Sequence, residues 1–337
     1  MTNQCRYILH IGRNKTGTSA LQQFFYKHRA SLRDHGVLYT DIGIAGSGHH
    51  GIASYFAKIP QELYAPSPTW HEDLLRESEN FPAVLLSSEA FSVRDPARIA
   101  EYFPPAQTQI VLFVREHVSY MTSWYQQSVK ASNTTSTLRE FVKQHASPHA
   151  DLIERWMKVF GQDRVTVQVY DREQFRHGSI TCACLDLIPE LQDLQLDDVV
   201  IDFSSLSGNL LFIKRCINLS ISVRESLSVK RDLRKLNRLD PSFSGKIHVP
   251  AQDVTWLHDF FTSDRQALQQ RHGIVFKEPP RELRGPDCPD MTRLAEDWHR
   301  IRTYAESHHL DILKYLQRAE AEIERHLSGR SDDWAAA

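Results

Sequence analysis

The sequence predicts an α/β fold in three layers, with a central parallel sheet flanked by helices and a mostly helical C-terminal region. Four short apolar runs of strand length alternate with segments whose apolar residues recur at helical spacing. This alternation is typical of a parallel sheet covered on both faces. The first run also ends in a glycine-containing turn that opens a helix, which is the setting of a phosphate-binding loop.

The predicted elements follow in order along the chain. Residues 6–12 (RYILHIG) form the first strand, residues 17–34 form a helix, and a loop-rich region follows around GIAGSGHHG. The later strands are residues 83–89 (AVLLSSE), 109–115 (QIVLFVR) and 165–171 (VTVQVYD), and the helices between and after them are residues 95–103, 118–131, 137–146, 149–160 and 179–188. Because ligands gather at the carboxyl ends of parallel strands, we expect Gly12, Glu89 and Arg115 to line one crevice.

We expect a single domain over residues 1–337, with an α/β core at residues 1–200 and a helical region at residues 201–330. The helical region contains a basic stretch, residues 223–238, with six lysines and arginines. That stretch is either a solvated helix face or a basic flap over an anionic ligand. The region as a whole is a candidate acceptor-binding or lid segment.

Composition excludes several classes of protein. The chain of 337 residues is 41% hydrophobic, so it can bury a core, and its net charge of -2 argues against a general nucleic-acid binder. No run approaches the roughly 18 apolar residues of a membrane helix. Five cysteines without a C-x-x-C pair favour a reducing compartment. We therefore expect a cytoplasmic protein with no membrane span and no nucleic-acid partner.

Residues 12–19 (GRNKTGTS) have the glycine spacing of a triphosphate-binding loop but a displaced lysine. That loop reads G-x-x-x-x-G-K-[ST], and here threonine occupies the lysine position while Lys15 lies inside the loop. The amides at the start of the following helix bind phosphate, and Gly17 lets the backbone approach it closely. From its position, Lys15 is expected to approach the oxygen between the phosphate and the transferred group, where it neutralises the developing charge.

This segment resembles the 5′-phosphosulfate-binding loop of the sulfotransferases that use 3′-phosphoadenosine 5′-phosphosulfate (PAPS). Their loop reads roughly P-K-[ST]-G-[TS]-[TS], and here asparagine replaces the proline. The resemblance implies a P-loop-type fold, PAPS as the donor and 3′,5′-ADP as the product. It also implies that the donor contacts Arg13, Asn14, Lys15, Thr16, Gly17, Thr18 and Ser19.

A second element resembles the part of these enzymes that binds the 3′-phosphate. In the family it reads R, seven residues, S, then x-Y, and here Arg115 is followed after seven residues by Ser123 and then by Tyr125. An arginine makes a bidentate contact with a phosphate dianion, and a serine adds a neutral hydrogen bond. PAPS has a 3′-phosphate and ATP has none. Residues 167–175 (VQVYDREQF) are a further similarity, and the resemblance covers about residues 5–190.

Sulfuryl transfer to a hydroxyl needs a base, and sulfotransferases use a histidine or a glutamate. Glu89 is the first candidate because it ends a predicted strand beside the loop. His50 is the second, and His49 is a candidate beside it, because a histidine titrates near neutral pH. One of these residues acts as the base while another positions the acceptor. A structural alternative pairs Glu89 with Lys15, Arg13 or Arg94.

Two other functions remain open from the sequence. A P-loop kinase would use residues 83–89 to hold magnesium and the basic stretch as a lid. A non-catalytic nucleotide-binding protein would keep the fold without turnover. For a sulfotransferase we expect no metal requirement and a small-molecule or glycan acceptor, since similar proteins often sulfate carbohydrates.

Overall fold

The structure is a computed structural model that describes residues 5–58, 65–194, 205–247, 249–277 and 289–328. Within these ranges the chain forms two compact units. Unit 1 is Met1–Glu116, Ser147–Ile201 and Asp264–Phe276, and unit 2 is His117–Ala146, Asp202–Ser263 and Lys277–Ala337. This division does not coincide with the predicted boundary at residue 200. Residues 117–146 group with the later helices, and residues 264–276 group with the α/β core.

Unit 1 contains a five-stranded parallel sheet. Its strands are β1 (Arg6–His10), β2 (Val37–Leu38), β3 (Ala83–Ser87), β4 (Thr108–Val114) and β5 (Val165–Val169), in the order β2-β3-β1-β4-β5. β1 pairs with β3 on one side and with β4 on the other, so it lies in the centre. His10 is in register with Ser87 of β3. The carboxyl ends of β1 and β3 are therefore level, and the turns that follow them start side by side.

Helices make up most of the remaining described structure. In chain order they are α1 (Thr18–Lys27), α2 (Arg29–Asp34), α3 (His50–Tyr55), α4 (Trp70–Ser78), α5 (Pro96–Ala100), α6 (His117–Ala131), α7 (Leu138–His145), α8 (His149–Phe160), α9 (Ile180–Leu185), α10 (Gly208–Asn218), α11 (Val223–Ser228), α12 (Lys230–Leu236), α13 (Ala251–Phe260), α14 (Thr262–His272), α15 (Leu294–Ser307) and α16 (Leu313–Leu327). Across the described ranges, no helix is long and apolar enough to cross a membrane.

The sheet of unit 1 is covered on both faces, because successive residues of each strand point to opposite sides. On β1, Leu9 packs in a cluster with residues of α3, α4, α5 and α8. Its neighbour Ile8 packs in a second cluster with residues of α1 and α9. Helix, sheet and helix thus form three layers, which confirms the predicted α/β class and its parallel sheet.

The region between the first helix and β3 differs from the prediction. The predicted loop-rich stretch contains β2, α3 and α4, and the helix predicted at residues 17–34 is divided at His28 into α1 and α2. α4 buries Trp70 and Leu74, which are four residues apart and lie on one face. α3 has only six residues and β2 only two, so their periodicity is too short to predict them.

Unit 2 is helical in its described residues. α6, α7, α10, α13, α15 and α16 contribute to one apolar cluster, and α10 has ten of its eleven residues buried. The basic stretch predicted from the sequence forms α11 and α12. Its apolar residues Leu233 and Leu236 are buried in the same cluster.

Candidate functional site

The turn between β1 and α1 brings backbone groups to the surface at the carboxyl edge of the sheet. Gly17 is the N-cap of α1 with a φ of 79°, and no described side chain caps the helix. A Cβ at this position would lie 2.5 Å from Ile180 Cδ1 and 2.9 Å from Tyr170 Cε2, so only glycine fits. The amide of Ala20 donates to the carbonyl oxygen of Gly17 at 2.9 Å, whereas the amides of Thr18 and Ser19 precede the hydrogen bonds of the helix and can bind an anion.

The polar side chains of the loop fall into two groups. Thr16 is buried, and its hydroxyl donates to the carbonyl oxygen of Arg13 at 2.6 Å, which closes the turn. Thr18 is also buried, at the start of α1. Asn14 and Ser19 are exposed. Thr16 therefore stabilises the shape of the loop, whereas Asn14 and Ser19 are accessible to a ligand.

Lys15 has a backbone conformation that is rare for a residue with a Cβ. Its φ is 65°, in the left-handed region, which costs about 1–2 kcal/mol. Its carbonyl oxygen accepts a hydrogen bond from Arg115 Nη1 at 3.0 Å. This bond stabilises the strained backbone. It also joins Lys15 to the arginine that was predicted, a hundred residues later, to bind the 3′-phosphate.

Arg115 directly follows β4. Its guanidinium carbon lies 5.5 Å from the centre of the Tyr170 ring. Burial lowers the pKa of Arg115, although an arginine remains protonated in proteins. Ser123 is half-buried on α6, which belongs to unit 2. The pairing of Arg115 with Ser123 stays a prediction from the sequence.

Arg13 is buried beside the first residue of α8. Its Nη1 donates to the carbonyl oxygen of Ser147 at 2.8 Å and lies 2.6 Å from Nδ1 of His149. Only 7% of Arg13 is exposed. These contacts attach the loop between β1 and α1 to the start of α8.

Glu89 and His50, two of the candidate bases, both lie at the carboxyl end of β3. Glu89 opens the 3-10 turn Glu89–Val93, and its Oε2 accepts a hydrogen bond from Gln22 Nε2 at 2.8 Å. His50 opens α3, and its Nδ1 lies 2.8 Å from the hydroxyl of Ser88, the residue before Glu89. Arg94, one of the suggested partners of Glu89, donates from Nε to the carbonyl oxygen of Ala53. Glu89 is thus attached through Gln22 to α1.

His49, the third candidate, is fully buried and uses both ring nitrogens in hydrogen bonds to backbone. The amide of Ser87 donates to Nδ1 at 3.1 Å, so Nε2 is protonated and donates to the carbonyl oxygen of Thr40 at 3.0 Å. Burial lowers the pKa of His49 to about 3. With both nitrogens engaged, His49 fits a structural role that joins β3 to the preceding loop, and we propose no proton transfer by it.

His10 lies against the loop between β1 and α1 and explains why position 12 is a glycine. Its Nδ1 is 2.7 Å from the hydroxyl of Ser87, and burial lowers its pKa to about 4. A Cβ at Gly12 would lie 2.8 Å from His10 Nε2 and 2.7 Å from Thr18 Cγ2. The loop backbone therefore passes against the imidazole, and a larger residue at position 12 would displace it.

Several residues that shape this site have no recognisable signal in the sequence. Gln22 lies three residues after Ser19 on α1, and this spacing places it on the same side of the helix. Ile180 and His149 reach the loop from distant parts of the chain. No local pattern marks them, because only the fold brings them to the loop.

The chain was compared with families and proteins that are already known. No family model matches it. A curated protein of Archaeoglobus fulgidus, described as uncharacterized, is 22% identical over 199 residues, which are 56% of this chain and 54% of that protein. The chain therefore matches about half the length of this relative.

Two solved structures are similar to the chain. A sulfotransferase from Alicyclobacillus acidocaldarius is 18% identical, with 79% of this chain and 94% of that chain covered and a TM-score of 0.41. A retinol dehydratase, in complex with androsterone and the inactive cofactor PAP, is 8% identical, with 81% and 82% covered and a TM-score of 0.30. At these TM-scores neither similarity supports a conclusion about activity.

Proposed function

We propose that the chain is a sulfotransferase that transfers the sulfuryl group of PAPS to an acceptor hydroxyl. The main support is the hydrogen bond of 3.0 Å from Arg115 Nη1 to the carbonyl oxygen of Lys15. It joins the residue that the sequence resemblance assigns to the 3′-phosphate with the residue it assigns to the 5′-phosphosulfate. Because ATP has no 3′-phosphate, an arginine attached to the loop in this way favours PAPS as the donor.

In this proposal the donor is bound by charge and by backbone amides. The first-turn amides of α1 and the exposed hydroxyl of Ser19 bind the 5′-phosphosulfate. Arg115 binds the 3′-phosphate, because a buried guanidinium gains from a dianion beside it. On the spacing of the sequence alone, we retain Ser123 as the second contact to that phosphate.

The transfer step uses a base and a cation. Glu89 takes the proton of the acceptor hydroxyl as its oxygen forms the bond to sulfur. The bond from sulfur to the bridging phosphate oxygen breaks, and Lys15 neutralises the charge that develops on this oxygen. The products are the sulfated acceptor and 3′,5′-ADP. Gln22 orients the Glu89 carboxylate, and His50 positions the acceptor or replaces Glu89 as the base.

We propose a carbohydrate hydroxyl as the acceptor and no metal in the reaction. Among the described residues, no group of three or more His, Cys, Asp or Glu side chains is arranged to hold a metal ion. Activity should persist in EDTA because Lys15 and the loop amides balance the charge that develops in this mechanism. A panel of glycans, phenols and small alcohols with labelled PAPS identifies the acceptor, and transfer from ATP with magnesium in its place would favour the kinase alternative.

The variant Lys15→Ala separates an enzyme from a nucleotide-binding protein. If Lys15 stabilises the leaving group, the rate should fall about 10²–10³-fold, as when one donor to a developing anion is removed. Binding of 3′,5′-ADP should change little, because Arg115 and the loop amides remain. Lys27→Ala, at the exposed last turn of the same helix, is the matched control and should keep full activity. Unchanged transfer by Lys15→Ala would contradict the role of this lysine.

A further inference from the structure

His149, the first residue of α8, is fully buried and uses both ring nitrogens. Arg13 Nη1 lies 2.6 Å from Nδ1, and because a guanidinium can only donate, Nδ1 must be the acceptor. The ring proton is therefore on Nε2, which donates to the carbonyl oxygen of Arg115 at 2.8 Å. His149 is fixed as the neutral Nε2–H tautomer between the phosphate loop and the residue after β4.

A third bond closes this arrangement into a ring. Arg115 Nη1 donates to the carbonyl oxygen of Lys15 at 3.0 Å, and Lys15 is two residues after Arg13 in the loop. Three hydrogen bonds thus form a closed ring with the backbone between residues 13 and 15. The ring passes through Arg13, His149, Arg115 and Lys15. A displacement of the loop changes the position of Arg115, and a displacement of Arg115 changes the loop.

The backbone of His149 is held from another part of the chain. Asp264 is buried, and its two carboxylate oxygens accept from the amides of His149 and Ala150 at 2.8 and 2.9 Å. In the next residue, Arg265, Nη1 lies 3.5 Å from Oε1 of Glu116, the residue after Arg115. These bonds explain why residues 264–276 group with unit 1. They also fix the position of the His149 backbone relative to the loop.

From this geometry we infer that His149 is a positioning residue that couples the 5′-phosphosulfate loop to the arginine of the 3′-phosphate. The inference rests on the proposed function, which assigns those two phosphates. His149 bonds to the side chain of Arg13 and to the backbone of Arg115, and it acts on the nucleotide through them. Its loss should therefore alter recognition of the 3′-phosphate specifically, and not only the stability of the fold.

Two substitutions each remove one of the two hydrogen bonds of the imidazole and keep the other. His149→Asn keeps an acceptor near Nδ1 for Arg13 but is too short to reach the carbonyl of Arg115. His149→Gln extends an amide N–H toward that carbonyl and removes the acceptor at the position of Nδ1. The matched controls are His71→Asn and His71→Gln on α4 in unit 1. Nε2 of His71 is buried without a hydrogen-bond partner among the described residues, so these changes break no hydrogen bond at that atom and remove only ring contacts, such as those with Trp70 and Tyr102.

The quantity to measure is the gain in affinity that the 3′-phosphate provides. Calorimetry gives the Kd of adenosine 5′-phosphate and of 3′,5′-ADP, and the gain is the first value divided by the second. His149→Asn should lower this gain about tenfold, since one hydrogen bond to a carbonyl that positions a charged group is lost. His149→Gln keeps a contact with the carbonyl of Arg115 but loses the bond to Arg13, so it should lower the gain by a smaller factor than His149→Asn does, and Arg13→Gln should lower it to the same extent. The two His71 variants should match the wild type.

Arg13→Gln is the second test and keeps the inference open to refutation if His149→Asn does not fold. Arg13 lies in the loop that is proposed to bind the 5′-phosphosulfate. If its replacement lowers the gain in affinity from the 3′-phosphate, the loop is coupled to Arg115. Equal weakening of both ligands by His149→Asn and Arg13→Gln would show a structural role only and would overturn the inference. A wild-type protein without any 3′-phosphate gain would instead overturn the proposed function, and the inference with it.

Discussion

Replacement of Gly17 by alanine perturbs the start of α1 in two ways that the structure separates. The first is conformational, because Gly17 has a φ of 79° and a left-handed residue with a Cβ costs about 1–2 kcal/mol. The second is steric, because the new Cβ would lie 2.5 Å from Ile180 Cδ1 and 2.9 Å from Tyr170 Cε2. Overpacking of this kind costs about 1–3 kcal/mol, so Gly17→Ala should lower the free energy of unfolding by about 2–5 kcal/mol in total.

The control for this experiment is Gly273→Ala in the same unit. Gly273 has a φ of 65°, but a Cβ there would meet nothing within 4 Å, so only the conformational cost applies. Urea unfolding followed by tryptophan fluorescence should place Gly17→Ala below Gly273→Ala by about 1–3 kcal/mol, the overpacking term. Gly17→Ala should also lose affinity for 3′,5′-ADP, and the control should not. Equal stability of the two variants with unchanged binding would refute the packing of the loop against Ile180 and Tyr170.

Two further predictions concern the carboxyl end of β3. Glu89→Gln should slow transfer about 10²–10⁴-fold, as expected for loss of a general base, with the Kd of 3′,5′-ADP unchanged. His50→Asn should have the smaller effect, and the reverse order in steady-state rates would make His50 the base. For His49, burial holds the pKa at about 3, so stability is lost as pH falls through the unfolded value of roughly 6.5. The advantage of the wild type over His49→Asn in unfolding free energy should thus shrink by about 2 kcal/mol between pH 6.5 and 4.5, and a constant gap would contradict a neutral buried imidazole.

Four strands of the sheet were predictable because β1, β3 and β4 are mainly apolar runs and β5 (VTVQV) alternates apolar and polar residues. Residues 6–12, 83–89, 109–115 and 165–171 correspond to β1, β3, β4 and β5, with ends that differ by one or two residues. β2 consists of Val37 and Leu38 alone, and two residues have no period. Pairing with β3, and not local sequence, makes this segment a strand.

The loop between β1 and α1 could also be delimited from the sequence, since its residues are contiguous, and its binding of phosphate stays a prediction. Its supports could not, because they depend on the tertiary fold. His149 is 136 residues from Arg13, and Asp264 is 115 residues from His149. The role of His49 was equally hidden, because a histidine in a glycine-flanked stretch looks accessible until the fold shows Ser87 and Thr40 at its two nitrogens.

The most direct test of the proposed donor compares two isomers with the same atoms and the same number of phosphate groups. Calorimetric titration of the wild-type protein with 3′,5′-ADP and with adenosine 5′-diphosphate separates recognition of a 3′-phosphate from general attraction of phosphate. We predict that 3′,5′-ADP binds at least about tenfold more tightly, because Arg115 makes a charge-assisted contact that the isomer lacks. Equal affinity for the two isomers, or binding of ATP with magnesium alone, would contradict a PAPS site built from the Lys15 loop and Arg115.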